Sequence, residues 1–378
     1  MPIKKCRVCG HHFWPEPLIS YKNMPKSAQF FPDSDSLAQE DGVDLEVCQC
    51  AGCGLVQLNC DPVPYYREVI RAAAYSPEMK EFRIRQFQDF VRKYRLKNRK
   101  IIEIGCGRGE YLSLMAQCGV KVSGIEYGAE SVKYCRSEQL DVSKQYIQSR
   151  TKLKNAPFDA FFILNFLEHM PNPNSALRGI CANLTTDGVG IVEVPNFDMI
   201  IRNKLFSEFI SDHLLYFTGE TLKTTLNNNG FEVIEQNNVW HEYIISAVVR
   251  KKRQLNLSDF HATREKLKHE LTTFIAKFAP QKVAIWGAGH QALAVISMTA
   301  LADKIAYVID SAPFKQGKFT PASHLPIVAP KKLESEPVEA VIVMAAAYSD
   351  EVYQTLNNKF GDSISIAIVR DYGLETKQ

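Results

Sequence analysis

The sequence predicts an α/β protein with two separate sheets, preceded by a small cysteine-rich module. Three observations predict this architecture. Strand and helix patterns alternate along most of the 378 residues, two apolar strands run directly into glycine turns, and half of the ten cysteines lie within the first 53 residues. With 46% hydrophobic and 23% charged residues, the chain is globular in composition and long enough for two or three domains.

Charge and hydropathy exclude several classes of protein. The 45 basic and 42 acidic residues leave a net charge of +3 without the basic stripe that binding to a phosphate backbone requires, so we expect no nucleic acid partner. The longest apolar run, 340–348, falls well short of the ~18 residues of a membrane-spanning helix. The N-terminus has no apolar signal segment, and we therefore expect a cytoplasmic protein.

Four of the early cysteines form two pairs with C-x2-C spacing, and each pair is followed by glycine. In this spacing two thiolates from one tight turn reach a single tetrahedral zinc ion, and two such turns complete a four-thiolate site. Because four protein ligands leave no open position, the predicted Zn²⁺ is structural and holds residues 1–75 together as an irregular module. Cys48 is an alternative ligand to Cys50, which we favour because it completes the second pair. The predicted ligands are Cys6, Cys9, Cys50 and Cys53.

A first α/β domain is predicted over 76–250. It begins with an amphipathic helix at 76–94, in which apolar residues recur at helical spacing among charged ones. Strands and helices then alternate as in a parallel sheet, and the domain closes with an antiparallel pair. The predicted strands span 100–104, 121–126, 160–165, 188–194, 230–233 and 240–249.

A second α/β unit is predicted over 280–378. The segment before it, 251–279, is charged, lacks glycine and proline, and is predicted to be a linker helix. The unit itself repeats the order of strand, glycine turn, helix and strand. Its predicted strands span 282–286, 305–309 and 340–344, with a helix at 292–300.

The first glycine turn follows the strand at 100–104 and reads Gly-Cys-Gly-Arg-Gly. Glycines let the backbone approach a bound nucleoside closely, and an acidic residue at the end of the next strand, here Glu126, can bond both ribose hydroxyls. With an acid inside the strand, the turn resembles the first motif of class I S-adenosylmethionine-dependent methyltransferases, and 158–173 resembles their fourth strand and the loop after it. The resemblance implies a Rossmann-like methyltransferase domain that uses this cofactor. The residues expected to bind it are Glu103, Gly105, Gly107, Gly109, Glu126 and Asn165.

The second glycine turn reads Gly-Ala-Gly-His-Gln-Ala over 287–292, and Asp310 follows at the end of a later strand. This spacing predicts a second Rossmann-like domain with a helix N-terminus directed at an anion. The anion is the diphosphate of a substrate such as a nucleotide sugar, or NAD or another nucleotide, and a turn with only a structural role is the remaining alternative. The residues expected at such a ligand are Gly287, Gly289 and His290.

The order of these parts resembles one family along essentially the whole chain, the nucleotide-sugar C-methyltransferases of deoxysugar pathways. Three blocks carry the likeness, at 50–58, 212–218 and 308–321. The resemblance implies methylation of carbon 3 of a 4-keto-deoxysugar that is carried on a nucleoside diphosphate and lies between the two α/β domains. The ketone acidifies the neighbouring C–H, a base removes that proton, and the enolate attacks the sulfonium methyl group.

The resemblance also implies which residues perform this chemistry. His213 is the expected base, with Asp212 beside it to tune or replace it. His169 is expected to lie near the methyl group and to bind the sugar ketone or a hydroxyl, or to cap its loop. Tyr75, Tyr216 and His241 are expected to line the substrate pocket.

The chain departs from the family pattern in two places. Family members commonly have Tyr-His-Glu-His where this sequence has Ile-Ser-Asp-His over 210–213, and His-Gly-Gly-Ser where it has His-Glu-Tyr-Ile over 241–244. O- or N-methylation of a related sugar or small metabolite therefore stays open beside C-methylation, and so does a relative that binds without catalysis. In each case we expect a small-molecule ligand and a monomer or homodimer.

Overall fold

The computed structural model describes residues 2–29, 31–68 and 75–377. The chain divides into two compact units, Met1–Arg253 and Gln254–Gln378. The first unit contains two sheets and the second contains one. The predicted α/β class, with separate sheets in two units of the chain, is confirmed. Among the described helices, none is both long and apolar enough to cross a bilayer.

The N-terminal region contains a four-stranded antiparallel sheet and is not irregular, so that prediction is wrong. Its strands are β1 (Ile19–Met24), β2 (Val43–Gln49), β3 (Val56–Leu58) and β9 (Leu215–Tyr216), in the order β1-β2-β3-β9. Alternation is visible in β2, where Leu45 and Val47 are buried while Asp44 and Glu46 are exposed. Because β9 comes from far along the chain, the cysteine-rich region shares its sheet with the domain that follows.

The second sheet of this unit has seven strands in the order β10-β11-β8-β7-β4-β5-β6. The run from β8 to β6 is parallel, and β10 and β11 close the sheet as an antiparallel pair. The strands are β4 (Lys100–Ile104), β5 (Lys121–Glu126), β6 (Val142–Lys144), β7 (Phe158–Leu164), β8 (Leu184–Pro195), β10 (Phe231–Val239) and β11 (Ile244–Lys251). The helices of this unit are α1 (Pro77–Lys93), α2 (Glu110–Ala116), α3 (Ala129–Ser137), α4 (Pro173–Ala182), α5 (Phe197–Asn203) and α6 (Gly219–Asn227).

The second unit has a six-stranded sheet in the order β14-β13-β12-β15-β16-β17, antiparallel only between its last two strands. Its strands are β12 (Val283–Trp286), β13 (Val308–Ile309), β14 (Ile327–Val328), β15 (Ala340–Val343), β16 (Ser365–Arg370) and β17 (Gly373–Lys377). Its helices are α7 (Ser258–Ile275), α8 (His290–Thr299), α9 (Lys332–Ser335) and α10 (Ser349–Phe360).

The helix predicted as a linker, α7, belongs to the core of the second unit. Leu271, Phe274 and Ile275 are buried against its sheet. The charged residues that indicated a linker cover the exposed face of α7, while the apolar residues of its last turns pack inward. We therefore describe α7 as an element of this unit.

The parallel strands of the seven-stranded sheet set the position of the candidate site. The central strands β4 and β7 are buried, so the carboxyl ends of β4, β5 and β7 lie along one edge of the sheet. Gly105, Glu126 and Asn165 stand at these three ends. In open α/β sheets this is the edge at which ligands bind.

Candidate active site and metal centre

The first glycine turn requires glycine at all three positions. The φ angles of Gly105, Gly107 and Gly109 are +72°, +56° and +84°, a region that side-chain-bearing residues rarely adopt. A Cβ on Gly109 would also lie 2.3 Å from a methyl carbon of Leu140. The turn therefore exposes backbone rather than side chain at the edge of the sheet, as close approach of a ligand demands.

Glu126 is 1% exposed at the end of β5 and holds this turn. One carboxylate oxygen accepts the Gly107 amide at 3.0 Å, and the other accepts the amides of Tyr127 and Gly128 at 2.7 and 2.8 Å. The carboxylate is thus fixed between the glycine turn and the start of α3. This is the position from which an acid meets the ribose of a nucleoside in Rossmann-type sites.

Asn165 follows β7 with a φ of +49°. Its backbone amide donates to the Glu193 carbonyl at 2.9 Å. Within the described part of the chain, its buried side-chain oxygen has no hydrogen-bond partner. A buried acceptor at the ligand edge of a sheet fits a ligand that supplies a donor, and S-adenosylmethionine carries amino and hydroxyl donors.

A buried cluster of one carboxyl group and two imidazoles follows Asn165. One oxygen of Glu168 and one ring nitrogen each of His169 and His213 lie within 4.8 Å of one another. The two rings meet edge to face with centroids 4.7 Å apart. Backbone geometry joins the two segments, because the Leu214 amide donates to the Glu168 carbonyl at 3.0 Å. The structure therefore brings together the two histidines that the sequence predicts for catalysis.

The orientation of His169 is fixed by a backbone contact. Its Nδ1 lies 2.8 Å from the carbonyl oxygen of Asp212, to which it donates a proton. Its Nε2 therefore carries the lone pair in the neutral ring, and it lies 3.9 Å from Glu168 Oε1. Burial lowers the pKa of His169. Burial and the neighbouring His169 lower the pKa of His213 to about 3, so both rings are neutral near pH 7.

Glu168 is a functional candidate that the sequence analysis did not assign. It is 1% exposed, and neither carboxyl oxygen has a hydrogen-bond partner among residues 2–29, 31–68 and 75–377. Burial raises its pKa to about 8. A proton is therefore held on Glu168 at neutral pH, next to the lone pair of His169. The sequence signal that could have indicated Glu168 is its position directly before His169, a predicted catalytic residue.

The titration of Glu168 predicts a pH dependence of stability. The folded protein binds this proton up to about pH 8, whereas the unfolded carboxyl group releases it near the ordinary glutamate pKa of 4.5, so stability falls as pH rises between these values. A Glu168→Gln variant lacks this loss, and its melting temperature is expected to rise relative to wild type from pH 5 to pH 9. The difference corresponds to a free energy on the order of a few kcal/mol. Glu130→Gln, an exposed substitution in α3, serves as the control. Melting curves of Glu168→Gln and wild type that shift in parallel over this range would refute the assignment.

Asp212 connects its own turn to two segments of the N-terminal region through side-chain hydrogen bonds. Its carboxylate accepts the Tyr65 hydroxyl at 2.7 Å and the Ala28 amide at 2.8 Å. The side chain is 5% exposed overall and faces these two groups. This arrangement supports a role in positioning His169 and His213 and does not support Asp212 as a second base.

The three predicted pocket residues lie in different environments. Tyr75 stacks on Tyr111 at a centroid distance of 5.9 Å, next to the first glycine turn. Tyr216 is buried in β9, and its hydroxyl bonds backbone groups of 208 and 210, so it supports the fold rather than a pocket. The side chain of His241 is 72% exposed and lies 3.3 Å from Glu78.

The second glycine turn packs against and hydrogen-bonds to other residues of the C-terminal unit. Gly287 has a φ of +116°, and a Cβ there would lie 2.5 Å from the Met344 carbonyl oxygen, so this glycine is required by packing. Gly289 has open space around it, and His290 is exposed at the start of α8. The Asp310 carboxylate accepts the Ala288 amide and pairs with Lys315, both at 2.8 Å.

The four predicted zinc ligands converge. Their sulfur atoms lie within 4.8 Å of one another, with Cys6 and Cys53 at 3.7 Å and Cys9 and Cys50 at 3.3 Å. Tetrahedral Zn–S bonds of about 2.3 Å place sulfurs roughly 3.8 Å apart, so the cluster needs only a small adjustment to hold zinc. Cys48 lies outside the group and instead donates to the Glu46 carbonyl. This chemistry of four thiols fits Zn²⁺, as predicted.

Comparison with known proteins agrees with this geometry. Residues 79–236 match a family described as "Methyltransferase domain", and residues 247–367 match one described as "C-methyltransferase C-terminal domain". C-methyltransferase NovU of Streptomyces niveus is 22% identical over 389 residues, across 93% of this chain and 91% of that protein.

Two further relatives cover less of the chain. The ubiquinone biosynthesis O-methyltransferase of Stutzerimonas stutzeri is 35% identical over 99 residues, which is 25% of this chain and 42% of that protein. Among solved structures, the PH0226 protein of Pyrococcus horikoshii matches 50% of this chain and 96% of its own, with 17% identity and a TM-score of 0.40.

The fold, the glycine turn with Glu126 and the domain match define this chain as an S-adenosylmethionine-dependent methyltransferase. The second match covers the C-terminal unit, and NovU is similar along nearly the whole length. Together, the two domain matches and this similarity support a divergent member of the S-adenosylmethionine-dependent C-methyltransferases.

Proposed function

We propose that this chain methylates a carbon atom next to the ketone of a sugar that is carried on a nucleoside diphosphate. The observation that carries the proposal is the cluster of Glu168, His169 and His213, which offers two neutral imidazoles beside a protonated carboxyl group. The full-length similarity to NovU, a C-methyltransferase, supports the same reaction class. The lost tyrosine and histidine of the family pattern leave His213 as the remaining base in its block.

In the proposed mechanism His213 removes the proton next to the ketone. Its lone pair accepts the proton while the C–H electron pair moves into an enolate. The enolate places negative charge on the ketone oxygen, and a donor is needed there. His169 supplies that donor from Nε2 once it takes the Glu168 proton, because Nδ1 is already committed to the Asp212 carbonyl.

The cofactor site is assigned to the first glycine turn. Gly105, Gly107 and Gly109 provide backbone contact, Glu126 orients toward the ribose, and the Asn165 oxygen accepts a donor. S-Adenosylmethionine held by these residues would supply an electrophilic methyl group, with the neutral thioether as the leaving group. His213 and Glu168 hold the protons of the exchange at the same edge of the sheet.

Two further assignments complete the proposal. We assign Zn²⁺ to the four cysteines as a structural ion, since no ligand position would stay open for chemistry. We assign the substrate diphosphate to the second glycine turn, where Gly287 and Gly289 precede α8 and His290 begins it. Reduced thiols at such a site suit the cytoplasmic location expected from the sequence.

Deuterium exchange tests the proposed reaction. In D2O, with a dTDP-linked 4-keto-6-deoxyhexose and no S-adenosylmethionine, the enzyme is expected to exchange the proton next to the ketone, measured by NMR. O- or N-methylation removes a hydroxyl or amine proton and leaves the C–H signal intact. A methylated product formed without any C–H exchange would therefore reassign the methylated atom, and failure to exchange or methylate any nucleotide sugar would overturn the substrate class.

A further inference from the structure

Arg83 on α1 is a buried cation with unused donors. Its side chain is 0% exposed, and its Nη1 contacts Glu193 at 2.5 Å and Gln86 at 2.7 Å. Across the residues that the structure describes, its Nε and Nη2 atoms have no hydrogen-bond partner. Arginine cannot shed its charge to relieve this burial, so the donors on these two nitrogens stay available to a ligand.

The guanidinium lies beside the first glycine turn. Its central carbon is 5.0 Å from the ring centroid of Tyr111, the second residue of α2, which begins where the turn ends. Its partner Glu193 pairs with Leu164 at the end of β7, and the Glu193 carbonyl accepts the Asn165 amide. Arg83 therefore reaches the same edge of the sheet as the proposed cofactor residues.

The partner Glu193 contacts only Nη1 of Arg83, so the Nε and Nη2 donors remain open to another group. One Glu193 oxygen contacts Arg83 and the other accepts Gln86 Nε2 at 2.5 Å. The open pair on Arg83, Nε with Nη2, has the spacing of the fork that binds a carboxylate through two parallel hydrogen bonds. S-adenosylmethionine has a single carboxylate, on its methionine end, whereas its adenosine end is assigned to Glu126.

We infer that Arg83 binds the methionine carboxylate of S-adenosylmethionine through Nε and Nη2. The inference rests on this cofactor and does not depend on the proposed sugar or on the enolate. Arg83 is then a cofactor-binding residue that anchors one end of the molecule while Glu126 anchors the other. Its position 20 residues before Glu103, outside the glycine motif, explains why the motif alone does not reveal it.

Isothermal titration calorimetry with two ligands tests the inference. S-Adenosylhomocysteine carries the carboxylate, and 5′-methylthioadenosine keeps the adenosine and sulfur but lacks the amino acid. The Arg83→Gln variant is expected to lose roughly ten- to a hundredfold in affinity for the first ligand and less than about twofold for the second. Arg83→Lys keeps the charge without the fork and is expected to fall between. Arg85→Gln, an exposed substitution two residues further along α1, is the matched control.

Other results would overturn the inference. Equal losses for both ligands would make Arg83 a support of the fold, and unchanged affinities would make it only the partner of Glu193. Because Arg83→Gln leaves Glu193 buried without its charge partner, an Arg83→Gln/Glu193→Gln double variant is measured alongside, since it removes both charges at once. The folding of both variants is checked by their melting temperatures. In either variant, the loss of affinity for S-adenosylhomocysteine is compared with the loss for 5′-methylthioadenosine. Methyl transfer to a sugar is measured separately, so failure of the proposed function is distinguished from failure of this inference.

Discussion

Replacing His213 with alanine is expected to reduce the rate of methyl transfer by about 10²–10⁴-fold, the usual contribution of a general base. The ring is buried against His169, and the low pKa of His213, about 3, keeps its lone pair available at every physiological pH. The measurement is the initial rate of S-adenosylhomocysteine formation under saturating substrate. The same variant is expected to lose the C–H exchange in D2O, because both require the same proton removal.

Matched variants separate catalysis from folding in this experiment. His261→Ala, at an exposed position on α7, is expected to keep the wild-type rate. His213→Ala is expected to bind S-adenosylhomocysteine as wild type does, because His213 belongs to the substrate side of the proposed site. A wild-type rate in His213→Ala would remove it from the mechanism, and loss of cofactor binding in that variant would point to a structural role instead.

The parts of the fold and site that the sequence predicted are those with local signals. The bounds of β4 and β5 were predicted to the residue, because apolar runs end at glycine or at an acid there. The four-cysteine cluster was predicted because C-x2-C spacing constrains both turns. Local structure that depends on only two or three neighbouring residues can therefore be predicted from a single sequence.

The parts that were missed depend on contacts between distant segments. The strand β9 pairs with β3 across more than a hundred residues, and so short a strand has no pattern of its own. The roles of Glu168 and Arg83 follow from individual buried atoms that have no hydrogen-bond partner in the described part of the chain, which composition and spacing do not encode. Asp212 was expected to tune or replace the base His213 because it adjoins it in sequence, but its carboxylate contacts Tyr65 and Ala28.

The largest structural effect is expected from Cys50→Ala. Losing one of four thiolates weakens zinc binding, which in structural sites provides folding free energy of about 10–16 kcal/mol, comparable to the whole stability of a domain. The variant is expected to retain no zinc after dialysis and to lose the N-terminal sheet, detected by metal analysis and circular dichroism. Cys48→Ala changes another buried cysteine of the same strand region that lies outside the cluster, and it is expected to keep one zinc per chain.

The same variant is also expected to lose methyl transfer, although no cysteine of the cluster is placed in the mechanism. Cys50 begins the turn between β2 and β3, and β3 pairs with β9. The Leu58 amide of β3 also donates to the carbonyl of Leu214, the residue after His213. Releasing the zinc therefore frees the segment that fixes His213 against His169. If metal-free protein kept the wild-type rate with an intact sheet, the cluster would have no part in holding the site. If activity were lost while Cys48→Ala stayed active, the zinc would act on catalysis through β3 and β9, which is the route that the hydrogen bonds provide.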